Sequence, residues 1–195
     1  MPENTDDLHL IERCKRGETS PFGQLVLNHQ NRIYNLCRYM LGNVQDAEDA
    51  AQDSFLKAFR NIKNFKPDAS FYTWLYRIAI NTCLDYRKRP LFASLFTRSK
   101  EGEEFPIKQL SHEFSPERLY AAKQASQTLQ VCLGELSPKL KAAILLKEIE
   151  GFSYEEIAGI MEISPGTVKS RISRARDELR GLMKKHTEQK RTPIV

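Results

Sequence analysis

Long apolar runs are missing from this chain: no stretch approaches the ~18 residues that a membrane-spanning helix needs, and none resembles a secretory signal peptide. Neither membrane insertion nor secretion is therefore expected, and a reducing cytoplasm is the expected setting. Cysteines are few and scattered. Cys14, Cys37, Cys83 and Cys132 form no C-x-x-C pair, and no histidine lies close enough in sequence to complete a zinc knuckle, so they read as small buried residues and no metal is expected. The four histidines, His9, His29, His112 and His186, belong to no H-E-x-x-H or nucleophile pattern, and no glycine-rich loop is built to cradle phosphate. No cofactor and no catalytic step are expected. β-branched residues do not alternate with polar ones over any useful length, which leaves an all-α chain.

What is present is charge, unevenly placed. Among 195 residues there are 30 Lys and Arg against 25 Asp and Glu, a net charge of +5. Acids cluster at Asp46, Glu48, Asp49 and Asp53, whereas bases cluster at Arg87 to Arg89 and from Lys169 to Arg191, so the two ends suit different partners. Four Ser-Pro pairs, beginning at Ser20, Ser115, Ser137 and Ser164, each join an N-cap residue to a residue favoured in the first helical turn. Gly17, Gly42 and Gly151 sit where helices should end. Together with the apolar periodicity these signals predict helices near residues 5–16, 21–41, 44–63 and 71–88, then three or four more after residue 115. Residues 91–115 mix Pro, Gly, Ser and charges without a helical period and read as a flexible linker. The expected organisation is two small helical domains, 1–90 and 116–195, joined by that linker.

Three segments carry chemistry. From Ser153 to Arg176 the chain reads as a helix-turn-helix. Ser153 and Glu156 form a capping box, Ile157, Ile160 and Met161 make one apolar face, and Ser164-Pro165-Gly166 breaks the helix before a second begins. The second helix carries Val168, Ile172, Ala175, Leu179 and Leu182 as its buried seam. Outward remain Lys169, Ser170, Arg171, Ser173, Arg174 and Arg176, the cations and hydroxyls that reach phosphates and base edges in a major groove.

In helix 44–63, Ala47, Ala51, Phe55, Ala58 and Ile62 mark the core face, while Asp46, Asp49, Gln52 and Asp53 form an acidic ridge. That ridge suits a basic partner, and it equally suits an ordinary solvated face. Helix 71–88 interleaves aromatics with cations, the combination that binds single-stranded nucleic acid by stacking bases and following the backbone. Phe71, Trp74, Leu75 and Ile78 read individually as core, which leaves Tyr72, Tyr76, Arg77 and Asn81 as the better contact residues.

The order of these segments resembles bacterial sigma factors. Phe71-Tyr-Thr-Trp-Leu-Tyr-Arg-Ile-Ala-Ile-Asn81 and Gly151-Phe-Ser-Tyr-Glu-Glu-Ile-Ala158 resemble the extracytoplasmic-function group, which keeps only the second and fourth sigma regions. The resemblance implies a transcription initiation factor that binds core RNA polymerase, selects promoter DNA and assists melting. It implies that Asp46, Asp49, Gln52 and Asp53 dock on the clamp helices of the largest subunit. Asn64, Lys66, Asp68, Ser70, Tyr72, Tyr76, Arg77 and Asn81 would meet the single-stranded minus-ten element, with one base flipped out of the stack. Thr167, Lys169, Ser170, Arg171, Ser173, Arg174 and Arg176 would meet the minus-thirty-five duplex while this region leans on the polymerase flap. It further implies control by an anti-sigma factor. Asp53 stands where relatives often carry Glu; the charge is kept and docking is expected to survive. The rival reading from the residues alone is a free-standing helix-turn-helix regulator, which would need a dimer to read two half-sites.

Overall fold

The computed structural model describes residues 5–66, 70–88 and 116–189, and every regular element among them is helical. The elements are α1 (Thr5–Lys15), α2 (Ser20–Leu41), α3 (Val44–Asn61), a short 3-10 turn (Ile62–Asn64), α4 (Phe71–Lys88), α5 (Pro116–Glu135), α6 (Pro138–Glu148), α7 (Tyr154–Met161) and α8 (Pro165–Gln189). The boundaries agree with the capping signals to within a residue or two. The segment expected to be a linker lies outside the described residues.

The first unit is built on α2, α3 and α4. Ile33, Leu36, Cys37 and Met40 of α2, Ala47, Ala50 and Ala58 of α3, and Leu75, Ala79 and Cys83 of α4 are fully buried, so each helix turns its apolar stripe inward. The alanines let α3 lie close to its neighbours, which places its polar side at the surface. The α2–α3 turn is set by Gly42, whose φ of 91° puts it in the left-handed region and lets its N–H reach the Arg38 carbonyl. Asn43 then caps α3: its Oδ1 accepts from the Asp46 N–H at 2.7 Å. Ser20 does not cap α2 as its Ser-Pro pair suggested. It is the first residue of the helix, the cap position belongs to Thr19, and no side-chain cap bond forms there.

The second unit folds α7 and α8 over α6, with α5 lying against α8. Ser137 caps α6 as its Ser-Pro pair predicted, its Oγ accepting from the Leu140 N–H at 3.4 Å. Helix α6 is buried all round, from Leu140 to Leu146, and this is the mark of a helix enclosed on every side. One side faces α7 and α8, and the other meets α2 of the first unit, while α7 lies along α4. The two units therefore share an interface, and it contains a lysine. Lys141 is 2% exposed. Burial, with the Arg87 guanidinium of α4 adding to it, pushes its ammonium down to about 8.

A buried cation beside a like charge costs stability for as long as it keeps its proton. With its ordinary value at 10.5 and its folded value near 8, the folded chain gives up this proton first, so the penalty is constant at neutral pH and is relieved as pH rises above 8. Replacing Lys141→Met should stabilise the protein at pH 7 by about 1–3 kcal/mol. It should also remove the wild-type gain in stability between pH 8 and 10. Denaturant melts of both chains across that range check both effects. At the helix-turn-helix, Ser153→Ala removes the capping box of α7 and should cost about 1 kcal/mol in the same assay.

Candidate nucleic-acid interface

The helix-turn-helix forms as its capping residues dictate. The Ser153 Oγ accepts from the Glu156 N–H at 3.1 Å, and the Glu156 carboxylate accepts from the Ser153 N–H at 2.7 Å. The first helix is ended by Glu162 rather than by Ser164-Pro165-Gly166: its φ of 53° is left-handed, and the following N–H of Ile163 returns to the Ala158 carbonyl at 3.1 Å. Ser164 then caps α8 by accepting from the Thr167 N–H at 3.2 Å. Val168, Ile172 and Ala175 are buried, and Leu179 and Leu182 lie against the same core, as the seam required.

The outward residues of α8 are not equivalent. Lys169, Ser173 and Arg174 are exposed and Arg171 is half-buried, and among the described residues no hydrogen bond or ion pair ties them. Thr167 belongs to the cap through its N–H. The Ser170 hydroxyl is spent on the Thr167 carbonyl at 2.9 Å. Arg176 donates through Nε and Nη2 to one oxygen of Glu148 on α6, at 3.1 and 2.6 Å, and this hydrogen-bonded carboxylate raises the guanidinium above its ordinary value. At 3.6 residues per turn Ser170, Ser173 and Arg174 crown the helix, with Lys169 and Arg171 on opposite flanks.

The acidic residues of α3 also divide by role. Asp46 is engaged at the start of its own helix, accepting from Asn43 Nδ2 at 2.6 Å, and Asp53 accepts from the Tyr86 hydroxyl at 2.8 Å, which turns it toward α4. Asp49 and Gln52 are exposed. Gln52 and Glu48 edge an apolar groove of about 670 Å³ between α2 and α3, floored by Phe22, Tyr34, Phe55 and Phe59. Leu56, also in its wall, is 44% exposed. Alternation of charges alone did not signal this groove, because its apolar lining comes from two helices.

On α4 the core assignments hold. Phe71 and Leu75 are buried and Trp74 and Ile78 lie against the core, Trp74 in edge contact with Phe65 at 5.4 Å. Asn64, Lys66 and Asn81 are exposed, and Asp68 lies outside the described residues. Ser70 caps α4, its Oγ accepting from the Thr73 N–H at 3.1 Å. Tyr76 corrects the reading of the sequence. It is not an accessible side chain but is fully buried, because the second unit covers it. Its hydroxyl donates to the Glu150 carboxylate at 2.6 Å and its ring meets Phe152 edge-on at 5.0 Å. Tyr72 lies beside it with its hydroxyl 3.0 Å from the same carboxylate oxygen and its ring stacked on Phe152 at 5.0 Å and 25°. Burial is the first cause that raises both phenols, Tyr76 far above the ordinary range, with the Glu150 charge adding to it. Arg32 of α2 donates to the Tyr72 hydroxyl at 3.1 Å and stands over its ring at 5.5 Å. Arg77 pairs with Glu162 at 3.5 Å. Arg32, Glu150 and Phe152 were missed in the sequence, since nothing local marks partners brought together from distant parts of the chain.

Comparison with known proteins gives these features a family. Sigma-70 region 2 matches residues 25–90, and Sigma-70, region 4 matches residues 126–179. The RNA polymerase sigma-H factor of Pseudomonas aeruginosa is 38% identical over 185 residues, covering 92% of this chain and 94% of that protein. The ECF RNA polymerase sigma-E factor of Escherichia coli (strain K12) is also 38% identical, over 188 residues covering 92% and 95%. Among solved structures, CnrH in complex with the cytosolic domain of CnrY aligns with a TM-score of 0.65 at 29% identity, over 92% of this chain and 97% of that one. The sigma factor RpoE in complex with the anti-sigma factor NepR from Bartonella quintana aligns with a TM-score of 0.64 at 27% identity, over 85% and 98%. With both sigma regions matched in order and the helices in the places those regions require, the chain belongs to the RNA polymerase sigma factors of the extracytoplasmic-function group.

Proposed function

We propose that this sigma factor holds core RNA polymerase through the outer side of α3 and holds its promoter at two points, α8 on the minus-thirty-five duplex and the Tyr72 face of α4 on the melted minus-ten strand. The observation that carries this reading is the separation of charge: exposed acids on α3 and untied cations on α8 lie on different units of one chain. On α3, Asp49 supplies an exposed carboxylate and Gln52 an amide beside the apolar groove, a surface suited to a basic, partly apolar helix such as the clamp helices of the largest subunit. Asp46 and Asp53 hold the helix in place and contribute charge from its two sides. On α8, Ser173 and Arg174 are assigned to base edges, Ser170 only as an acceptor because its proton goes to the Thr167 carbonyl, and Lys169, Arg171 and Arg176 to the phosphates that fix register. Asn64, Lys66, Asp68, Ser70, Arg77 and Asn81 are the polar contacts assigned to the single strand, with Tyr72 as its stacking ring and Tyr76 joining only when the second unit withdraws. The factor adds binding and positioning and no catalytic step of its own.

An anti-sigma protein is a further partner on this reading, since CnrH is held in complex with the cytosolic domain of CnrY and RpoE with the anti-sigma factor NepR. The factor works in the cytoplasm beside polymerase; among the described residues no helix is long and apolar enough to cross a membrane. A flap contact by the second unit would set the distance between the two DNA grips.

Two sets of charge variants test the division of labour. Asp49→Lys with Gln52→Lys should abolish binding to core polymerase in a pull-down, without changing the thermal melt. Arg171→Ala and Arg174→Ala should leave core binding intact and weaken promoter-dependent initiation, by about 1–3 kcal/mol for each substitution that removes a hydrogen bond to a base edge. Equal loss of core binding in both sets overturns the assignment.

A further inference from the structure

A nucleotide bound to a single-strand platform presents two things, a flat ring to stack and an anion to pair. The second unit offers both to the first. Phe152 lies on Tyr72 with centroids 5.0 Å apart and planes at 25°, within the offset-stacked geometry that an aromatic base also adopts. One residue before Gly151, the Glu150 carboxylate sits at the two tyrosine hydroxyls, at 3.0 and 2.6 Å, where Arg32 also reaches Tyr72. Cations and hydroxyls that accommodate a carboxylate also accommodate a phosphate. A second anion, Glu162, stands at Arg77, one residue along α4 from Tyr76. Tyr76 is 0% exposed in this arrangement, so nothing else stacks on it while the units are together.

We propose that the Glu150-Gly151-Phe152 turn is a built-in nucleotide mimic, occupying on the Tyr72–Tyr76 face the place of one stacked nucleotide, so that single-stranded DNA and the second unit compete for one surface. This rests on the minus-ten reading of that face. The contact joins a buried part, in which Tyr76 and Phe152 belong to the core shared by both units, to a polar rim. Its outer ion pair is exposed, 39% at Arg77 and 68% at Glu162, and such pairs contribute little. Lys141 is buried in the same interface at a cost. The free factor is thus closed to stray single strands, and the face is released when the second unit is engaged elsewhere.

The test uses the full chain carrying Glu150→Ala and Glu162→Gln, with circular dichroism confirming that both units stay helical. Two readouts are taken against wild type: hydrogen–deuterium exchange over residues 71–81, and anisotropy of a fluorescent short random-sequence single-stranded DNA. The expected result is faster exchange and roughly tenfold tighter DNA binding in the variant. If the double variant unfolds, Glu150→Gln, which keeps an acceptor and the shape but removes the charge, should give the same direction with a smaller change. Unchanged exchange and unchanged DNA binding overturn the mimic. Faster exchange with no gain in DNA binding shows that the face opens but does not hold single strands; that outcome sinks the minus-ten reading and the competition with it, and leaves the α3 and α8 assignments standing.

Discussion

Two tyrosine hydroxyls meeting one carboxylate decide how this molecule is arranged. A carboxylate leaves water only if donors replace its hydration, and Tyr76 and Tyr72 supply those donors to Glu150 while Phe152 covers their rings. This seam lays α7 along α4, brings α6 against α2 and traps Lys141 between the units. The buried apolar side chains of the two units run together as one continuous core, with α2, α3 and α4 on one side of the seam and α6, α7 and α8 on the other. The hydroxyls and carboxylate of the seam therefore add direction to an apolar contact that the two units already share.

Polar groups at the rim of the seam differ in character from the apolar core that runs through it. Apolar burial in a core is lost only by unfolding, whereas a junction of hydroxyls, carboxylates and an exposed ion pair exchanges readily for water or for another ligand of the same chemistry. On the proposed function, the DNA-reading surfaces are needed on polymerase and not before. A junction over the proposed single-strand face, with the outer side of α3 and the crest of α8 left uncovered, meets that need within one chain.

Local features were legible in the sequence because their causes are local. The capping box at Ser153, the Ser137 cap, the seam of α8 and the glycine at the end of α2 each depend on residues within a few positions, and each appears where the spacing placed it. Asp49, Lys169 and Arg174 were found as exposed charges for the same reason. Tyr76 was misread although Ala79, Ile80 and Cys83, at its i+3, i+4 and i+7 steps, mark a core face; Glu150 and Phe152, far along the chain, complete its cover. Lys141 looks like a solvated lysine on α6 until α2 and α4 are brought against that helix. Ser70 and Ser170, which read as hydroxyls free for DNA, are spent on their own backbones, a competition that residue type alone does not reveal.

On the proposed function, the chain acts only through polymerase. Run-off transcription with purified core polymerase over a library of genomic fragments measures this directly. The predicted result is initiation at discrete sites that appear only when the chain is added, with no tight DNA binding by the chain alone. No binding to core and no directed initiation at any fragment, or tight binding to duplex DNA by a dimer of the chain without polymerase, would contradict it.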